Sequence, residues 1–299
     1  MATITGTQFV ARVLLAGALA CTAFGPSAHA QVQGAAPNAP APDPALEKAV
    51  AGEWRTSEQK ARDAYRRPVE ALTFWGLKPG MSILEVQPGA ASWWTEILAP
   101  YARMTGGTFT ATGPDLNSPE VSDRARKARA AFEAKYGVRP DIYGKVNVVG
   151  WGPKSAPLPA KSYDFILTAR SVHGWMANDL VEKSFRDFYG ALKPGGILAL
   201  EQHRANPGEQ DPKAKSGYVT EAYVIEQARK AGFELAARSE LNANPKDTKD
   251  HPFGVWTLPP TRTSVPYNSG QPPNPAFDHS KYDAIGESDR MTLKFVKPR

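Results

Sequence analysis

From Ser82 onward the chain alternates short apolar runs with longer amphipathic segments, and this alternation limits what it can fold into. The runs "SILEV", "TFTAT", "VNVV", "YDFILT" and "ILALEQ" are short and mostly bounded by Gly or Pro, as strands are. Between them, residues 92–101, 118–136 and 179–192 carry helical spacing, and 220–231 leads into a sixth run at 233–241. Strands separated by helices cannot pair as tight hairpins, so the pattern predicts an α/β protein with a parallel sheet covered on both faces. Two helices are expected before the first strand, at 44–55 and 57–75. Ser57 serves as N-cap of the second and Glu58 stands in its first turn, with a break at Pro68, where proline removes an amide donor.

Turns carry the next layer of information. "LKPG" occurs at 77–80 and again at 192–195, each time between a helix and a strand. Proline second and glycine third fit a type II turn, which makes Lys78 and Lys193 surface residues at helix ends. "LEVQPGAAS", residues 84–92, repeats the device between the first strand and its helix. Pro88 fixes its own φ, Gly89 supplies the positive φ, and Gln87, preceding a proline, is expected to be extended. Glu85 then sits at the carboxyl end of a strand, where open α/β sheets bind ligands, while Ala90 and Ala91 keep the helix start small.

The N-terminus is of another kind. One Arg at position 12 precedes an apolar run at 13–24, and Ala28-His29-Ala30 completes an A-x-A pattern. The run is too short for a permanent membrane span, so residues 1–30 read as a signal peptide cleaved after Ala30, giving a periplasmic or secreted protein. The only cysteine, Cys21, lies inside this segment, and lipid attachment there is the second choice. A mature chain without thiols suits an oxidising compartment. Residues 31–44 read as an Ala/Pro-rich linker and 45–299 as a single domain. The net charge of +6 comes from dispersed Lys and Arg with acidic residues interleaved, which gives no reason to expect nucleic-acid binding. From 242 to 290 runs a long stretch rich in Pro, Asn, Gly and Asp before the final strand "MTLKFV". Its first half is expected to form a lid or substrate wall, and "PYNSGQPPNPAF" a mobile surface.

At "LEVQPGAAS" the sequence resembles class I S-adenosylmethionine-dependent methyltransferases, whose first motif is an acid followed by Gly-x-Gly-x-Gly. Glu85 matches the acid and Gly89 the central glycine, whereas Gln87 and Ala91 replace the outer two. The resemblance spans about residues 62–297. "WTEILAPYA", "ANPKDTKDHPFGVWTLPP" and "GESDRMTLKFVKP" are similar to a group of exported bacterial proteins described as predicted methyltransferases. It implies a Rossmann-like methyltransferase fold, with a seven-stranded mostly parallel sheet, helices on both faces and the last strand antiparallel. It also implies S-adenosylmethionine lying across the ends of the first two strands, against Glu85, Gln87, Gly89 and Ala91. Asp115, in "TATGPD", takes the place of the acid that holds the ribose, a few positions late. Trp151, in "GWGPKSAPLP", is in reach of the adenine, with a packing role as the alternative.

Methyl transfer is a displacement that needs alignment, plus a base where the nucleophile carries a proton. His173 and His203 follow the fourth and fifth strands and are the candidate catalytic residues; capping of backbone groups is the alternative for each. Arg170, Arg204 and His251 are candidates for holding a small-molecule substrate. His173, His203, Asp250 and His251 are of metal-binding type but lack ligand spacing, so no metal site is expected. Of Trp93 and Trp94, one is expected in the core and one at the pocket. A competing reading is a non-catalytic exported binding protein that keeps the same fold.

Overall fold

The computed structural model describes residues 43–299; the expected signal peptide, Cys21 and the linker up to residue 42 lie outside the described residues. Seven strands form one sheet: β1 (Ser82–Val86), β2 (Thr108–Gly113), β3 (Val146–Gly150), β4 (Tyr163–Ala169), β5 (Leu192–His203), β6 (Glu234–Ser239) and β7 (Arg290–Val296). Their order is β3-β2-β1-β4-β5-β7-β6. Strands β1 to β5 pair in parallel, and β7 runs antiparallel to both β5 and β6. This is the expected Rossmann-like methyltransferase fold. The strand order reverses at β1, between β2 and β4, and such a switch point opens a crevice at the carboxyl ends of the strands.

Successive side chains of a strand point to opposite faces, and the two cores follow that alternation. Ile83 joins Leu72, Trp75, Ile97, Phe109 and Phe165 on one face. Leu84 joins Ile166, Phe185, Phe188, Leu198 and Phe295 on the other. The first face is covered by α1 (Pro44–Ala51), α4 (Pro68–Trp75) and α5 (Thr95–Thr105). Helices α2 (Ser57–Ala61) and α3 (Asp63–Arg66) lead into α4. Helix α6 (Asp123–Gly137) follows β2, and the short α7 (Pro140–Tyr143) precedes β3. The second face carries α8 (Val172–Ala177), α9 (Val181–Ala191) and α10 (Glu221–Lys230).

Several boundaries differ from the sequence reading for identifiable reasons. The segment 57–75 breaks at Pro68 as expected, where Arg67 is left-handed at φ 43°, and breaks once more at Arg62, which ends α2, so it forms three helices. Thr56, not Ser57, caps α2, in a reciprocal capping box with Gln59. Helix α5 starts at Thr95 rather than Ser92, since Ser92 is itself left-handed at φ 47°. The second "LKPG" lies inside β5, where the register shifts and Gly195 has φ 77°. The long C-terminal stretch contains a 3-10 turn at Gly254–Thr257 and α11 (Ser280–Ile285). "PYNSGQPPNPAF" is anchored at its start, where the Tyr267 ring stacks on Trp256 at 4.4 Å. Among the described residues no helix is long and apolar enough to cross a membrane.

Trp75 ties the helical layer to the sheet: it is fully buried and its Nε1 donates to the Leu293 carbonyl at 2.9 Å. Trp75→Ala is expected to lower the unfolding free energy by about 3–5 kcal/mol through the cavity it leaves. Trp75→Phe, which keeps most of the volume and loses the hydrogen bond, should cost about 1–2 kcal/mol. Urea denaturation checks both; equal losses in the two variants would contradict this account.

Candidate active site

The connection from β1 to α5 forms the floor of the site. Gly89 has φ 69°, and a side chain added there would meet nothing within 4 Å. Gln87 is not extended as expected but left-handed, at φ 50°. Two tertiary hydrogen bonds override the preference of a residue before proline. Its amide donates to Thr112 Oγ1 at 2.8 Å, and its side-chain oxygen accepts from Trp175 Nε1 at 2.9 Å. Arg170, after β4, is also left-handed at φ 59°. Such conformations are strained for residues with a Cβ, and here three of them, with Ser92, surround one end of the sheet.

Two cavities open on either side of this connection. A crevice of about 530 Å³ lies over the ends of β1, β2 and β3, against Gly89, Ala90, Thr112, Arg129, Phe132 and Trp151. A pocket of about 270 Å³ lies toward β4 and β5, against Glu85, Trp93, Trp94, Arg170, His173 and His203. Its outer side is lined by Val255, Trp256, Pro259 and Pro260 from the first half of the long loop, and by Tyr267 from the segment expected to be a mobile surface. Gln87, Pro88 and Gly89 line both cavities.

Not every residue singled out in the sequence reaches these spaces. Ala91 is exposed, and its neighbours Ala90 and Ser92 line the crevice instead. Asp115 lines a smaller cavity beyond Pro114, and its Oδ1 accepts from the Asn117 amide at 3.1 Å. Trp151 reaches the crevice with one edge but is buried, its Nε1 donating to Asp187 Oδ2 at 3.0 Å. Arg204 pairs with Asp289 at 2.9 Å and Glu240 at 2.7 Å, away from the histidines' pocket. His251 is buried against Asp247 at 2.8 Å, and the Tyr218 hydroxyl donates to the same carboxylate at 2.9 Å. Both Trp93 and Trp94 are buried, and both border the pocket, not one alone.

His173 and His203 do converge, with ring centres 5.6 Å apart. Their protonation follows from their partners. Gln202 Oε1 accepts from the Val172 amide at 3.1 Å, and its Nε2 donates to the Gly217 carbonyl at 3.1 Å, which fixes the orientation of that amide. The same Nε2 meets His173 Nδ1 at 3.2 Å, so Nδ1 accepts and the neutral ring carries its proton on Nε2. His203 Nδ1 lies 2.6 Å from Ser288 Oγ, and the hydroxyl can serve either tautomer. Burial, with the charge of Arg170, lowers the His173 pKa to about 4. Burial and the surrounding positive charges place His203 well below its ordinary range as well.

Behind the pocket stands a buried ionic cluster. Arg290 pairs with Glu201 at 2.5 Å and with Glu287, while Glu287 also takes Arg62 at 2.7 Å and Arg66 at 3.2 Å. Although burial opposes it, Arg290, Arg66 and Arg62 hold Glu287 far below the usual carboxylate range. Sequence reasoning missed Arg66, Glu287 and Ser288, which are about 220 residues apart along the chain and carry no common spacing. Trp256 lies in the half of the long stretch expected to form a lid or wall, and Tyr267 in the half expected to be a mobile surface; neither was singled out. The one local signal was the charged pair "DR" directly before an apolar strand.

No family model matches the chain, and no curated protein matches it. Among solved structures it is similar to the 4+2 cyclase SpnF, at 18% identity over 85% of this chain and 91% of that one, with a TM-score of 0.46. It is similar to a SAM-dependent methyltransferase from Aquifex aeolicus, at 22% identity over 60% and 86% of the two chains, TM-score 0.43. A SAM-dependent methyltransferase from Methanosarcina mazei gives 15% identity over 74% and 94%, TM-score 0.44.

Glu85 gives the site a pH signature. Burial raises its pKa from 4.5 to about 8, although the Thr95 hydroxyl donates to its Oε2 at 2.6 Å. Across that window the folded chain keeps a proton that the unfolded chain releases, so this group's contribution to stability falls as pH rises. Glu85→Gln is expected to leave stability near pH 4 unchanged and to raise it at pH 8 by on the order of 3 kcal/mol. Urea denaturation at both pH values checks this; an equal change at each would contradict it.

Proposed function

We propose that the chain is an S-adenosylmethionine-dependent methyltransferase acting on a small molecule. The cofactor would occupy the crevice and the methyl acceptor the adjoining pocket. The observation that carries this is the Gln87–Gly89 turn, which lines both cavities at the switch point of the sheet, so ligands on its two sides meet over it.

The residues present fit the cofactor. At about 530 Å³ the crevice has the size of a small-molecule site, and the absent side chain of Gly89 leaves its floor open. Phe132 and the edge of Trp151 offer apolar surface for a flat base. With Asp115 in another cavity, the end of β2 presents Thr112 and Gly113 where the resemblance places an acid. When bound, the cofactor supplies an electrophilic methyl group on a sulfonium. The chain's own residues then align the acceptor and handle its proton. His203 suits the base: its neutral form is the resident one, and a proton on Nδ1, held by Ser288, leaves Nε2 free to accept. His173, protonated on Nε2, suits a hydrogen-bond donor rather than a base. Trp256 and Tyr267, stacked on each other, line the pocket on its outer side. Residues 1–30 support an exported protein, working in the periplasm or outside the cell.

Calorimetric titration with S-adenosylhomocysteine tests the assignment. A dissociation constant of about 100 μM or tighter is expected. Gly89→Asn, which tolerates the left-handed conformation and places its side chain into the crevice, should weaken binding at least tenfold with thermal stability kept. No binding by the unmodified protein would overturn the proposal in favour of a non-catalytic protein that holds another ligand.

A further inference from the structure

The chemistry above leaves one strained and half-buried residue without a task, Arg170. It borders the pocket, and its Nε is buried with no hydrogen-bond partner among the described residues. The carboxylates near it are already taken: Glu201 by Arg290, Glu287 by Arg62, Arg66 and Arg290, and Glu85 by the Thr95 hydroxyl. Trp94, on the same pocket wall, has a buried Nε1 without a partner. Behind it, Arg66 Nη1 and Arg62 Nη2 are buried and unpartnered too. His173 adds an N–H at Nε2.

The wall of this pocket therefore offers donors whose natural acceptors are occupied elsewhere. The charge does not balance either. Four guanidinium groups, Arg62, Arg66, Arg170 and Arg290, stand against two ionised carboxylates, Glu201 and Glu287, because Glu85 stays largely protonated at neutral pH. Unmade buried hydrogen bonds and an unpaired buried charge both cost free energy, so the arrangement is complete only with an acceptor-rich anion in place. The remaining walls are aromatic and proline side chains: Trp93 and Trp94, set edge to face at 87°, the Trp256 ring stacked on Tyr267, and Pro259 with Pro260.

We propose that the pocket binds a small planar molecule bearing an anionic oxygen group, carboxylate or phosphate, with the charged end held by Arg170 and His173. This deepens the methyltransferase reading, in which the pocket is the acceptor site, by naming the class of acceptor. The planar fork of arginine suits both oxyanions, and the aromatic walls suit the ring that carries them.

The test is calorimetric titration of the protein with benzoate, phenyl phosphate and neutral benzamide. Benzoate or phenyl phosphate should bind at least tenfold tighter than benzamide, and the stronger of the two names the oxyanion. Arg170→Gln should abolish that preference while thermal stability stays equal or rises, since an unpaired buried charge is removed. Arg170→Lys, which keeps the charge and loses the fork, should retain part of the preference and carries the test if the Gln variant does not fold. Equal binding of benzamide, or a preference that survives Arg170→Gln, would overturn the proposal. Inorganic phosphate binding as tightly as phenyl phosphate would overturn its aromatic part. S-adenosylhomocysteine is titrated into the same sample. Its failure alongside intact anion binding sinks the methyltransferase reading alone, whereas its binding without anion preference sinks this inference alone.

Discussion

One buried guanidinium organises the end of the sheet where both cavities lie. Arg290 opens β7, the antiparallel strand, and pairs there with Glu201 of the neighbouring β5 and with Glu287 just before its own strand. Glu287 in turn draws Arg62 and Arg66 from the N-terminal helices. Asn242 reinforces the link, donating to the backbone of Tyr65 and Arg66 and accepting from Thr292. The last strand, the middle of the sheet and the first helices are thus tied through a single ionic cluster. Its removal from one side would leave buried charges uncompensated, which is far more costly than never having placed them.

With that corner fixed, the β1 to α5 turn can hold conformations its residues do not favour. Left-handed backbone at Gln87 and Ser92 costs free energy locally, and it persists because Thr112 and Trp175 grip Gln87 from two other elements. The result is a thin partition, not a cradle closed around one ligand. The turn needs a single glycine for its positive φ, Gly89, and nothing lies within 4 Å of where a side chain would stand there.

The fold was legible in the sequence because its signals are local. Alternating strands and helices, the "LKPG" turns and the break at Pro68 each depend on neighbouring residues, and they led to a parallel sheet covered by helices, whereas the seven strands with an antiparallel last one were what the resemblance implied. The site was legible only in part. His173 and His203 follow adjacent strands, so topology alone brings them together. Their roles did not follow, because the tautomer of His173 is set by Gln202, and Gln202 is oriented by Val172 and Gly217. Arg204 and His251 looked like ligand contacts from their residue types, yet each has an acidic partner that only the tertiary structure supplies. Gln87 departs from its expected geometry for the same reason: long-range hydrogen bonds outweigh a preference set by the next residue.

The partition also couples the two cavities electrostatically. Arg170 faces the pocket, and Arg129 and Lys135 line the crevice on the far side of the same three residues. Those two are partly neutralised, by Glu133 and Glu96. Arg170 has no comparable partner, so the positive potential at the partition comes chiefly from the pocket side, in surroundings where burial weakens screening. A negative group seated on Arg170 lowers the cost of placing positive charge in the crevice, and by the reciprocity of linked binding a positive group in the crevice favours the anion to the same extent. Two cavities that share Gln87, Pro88 and Gly89 as a wall are therefore coupled electrostatically.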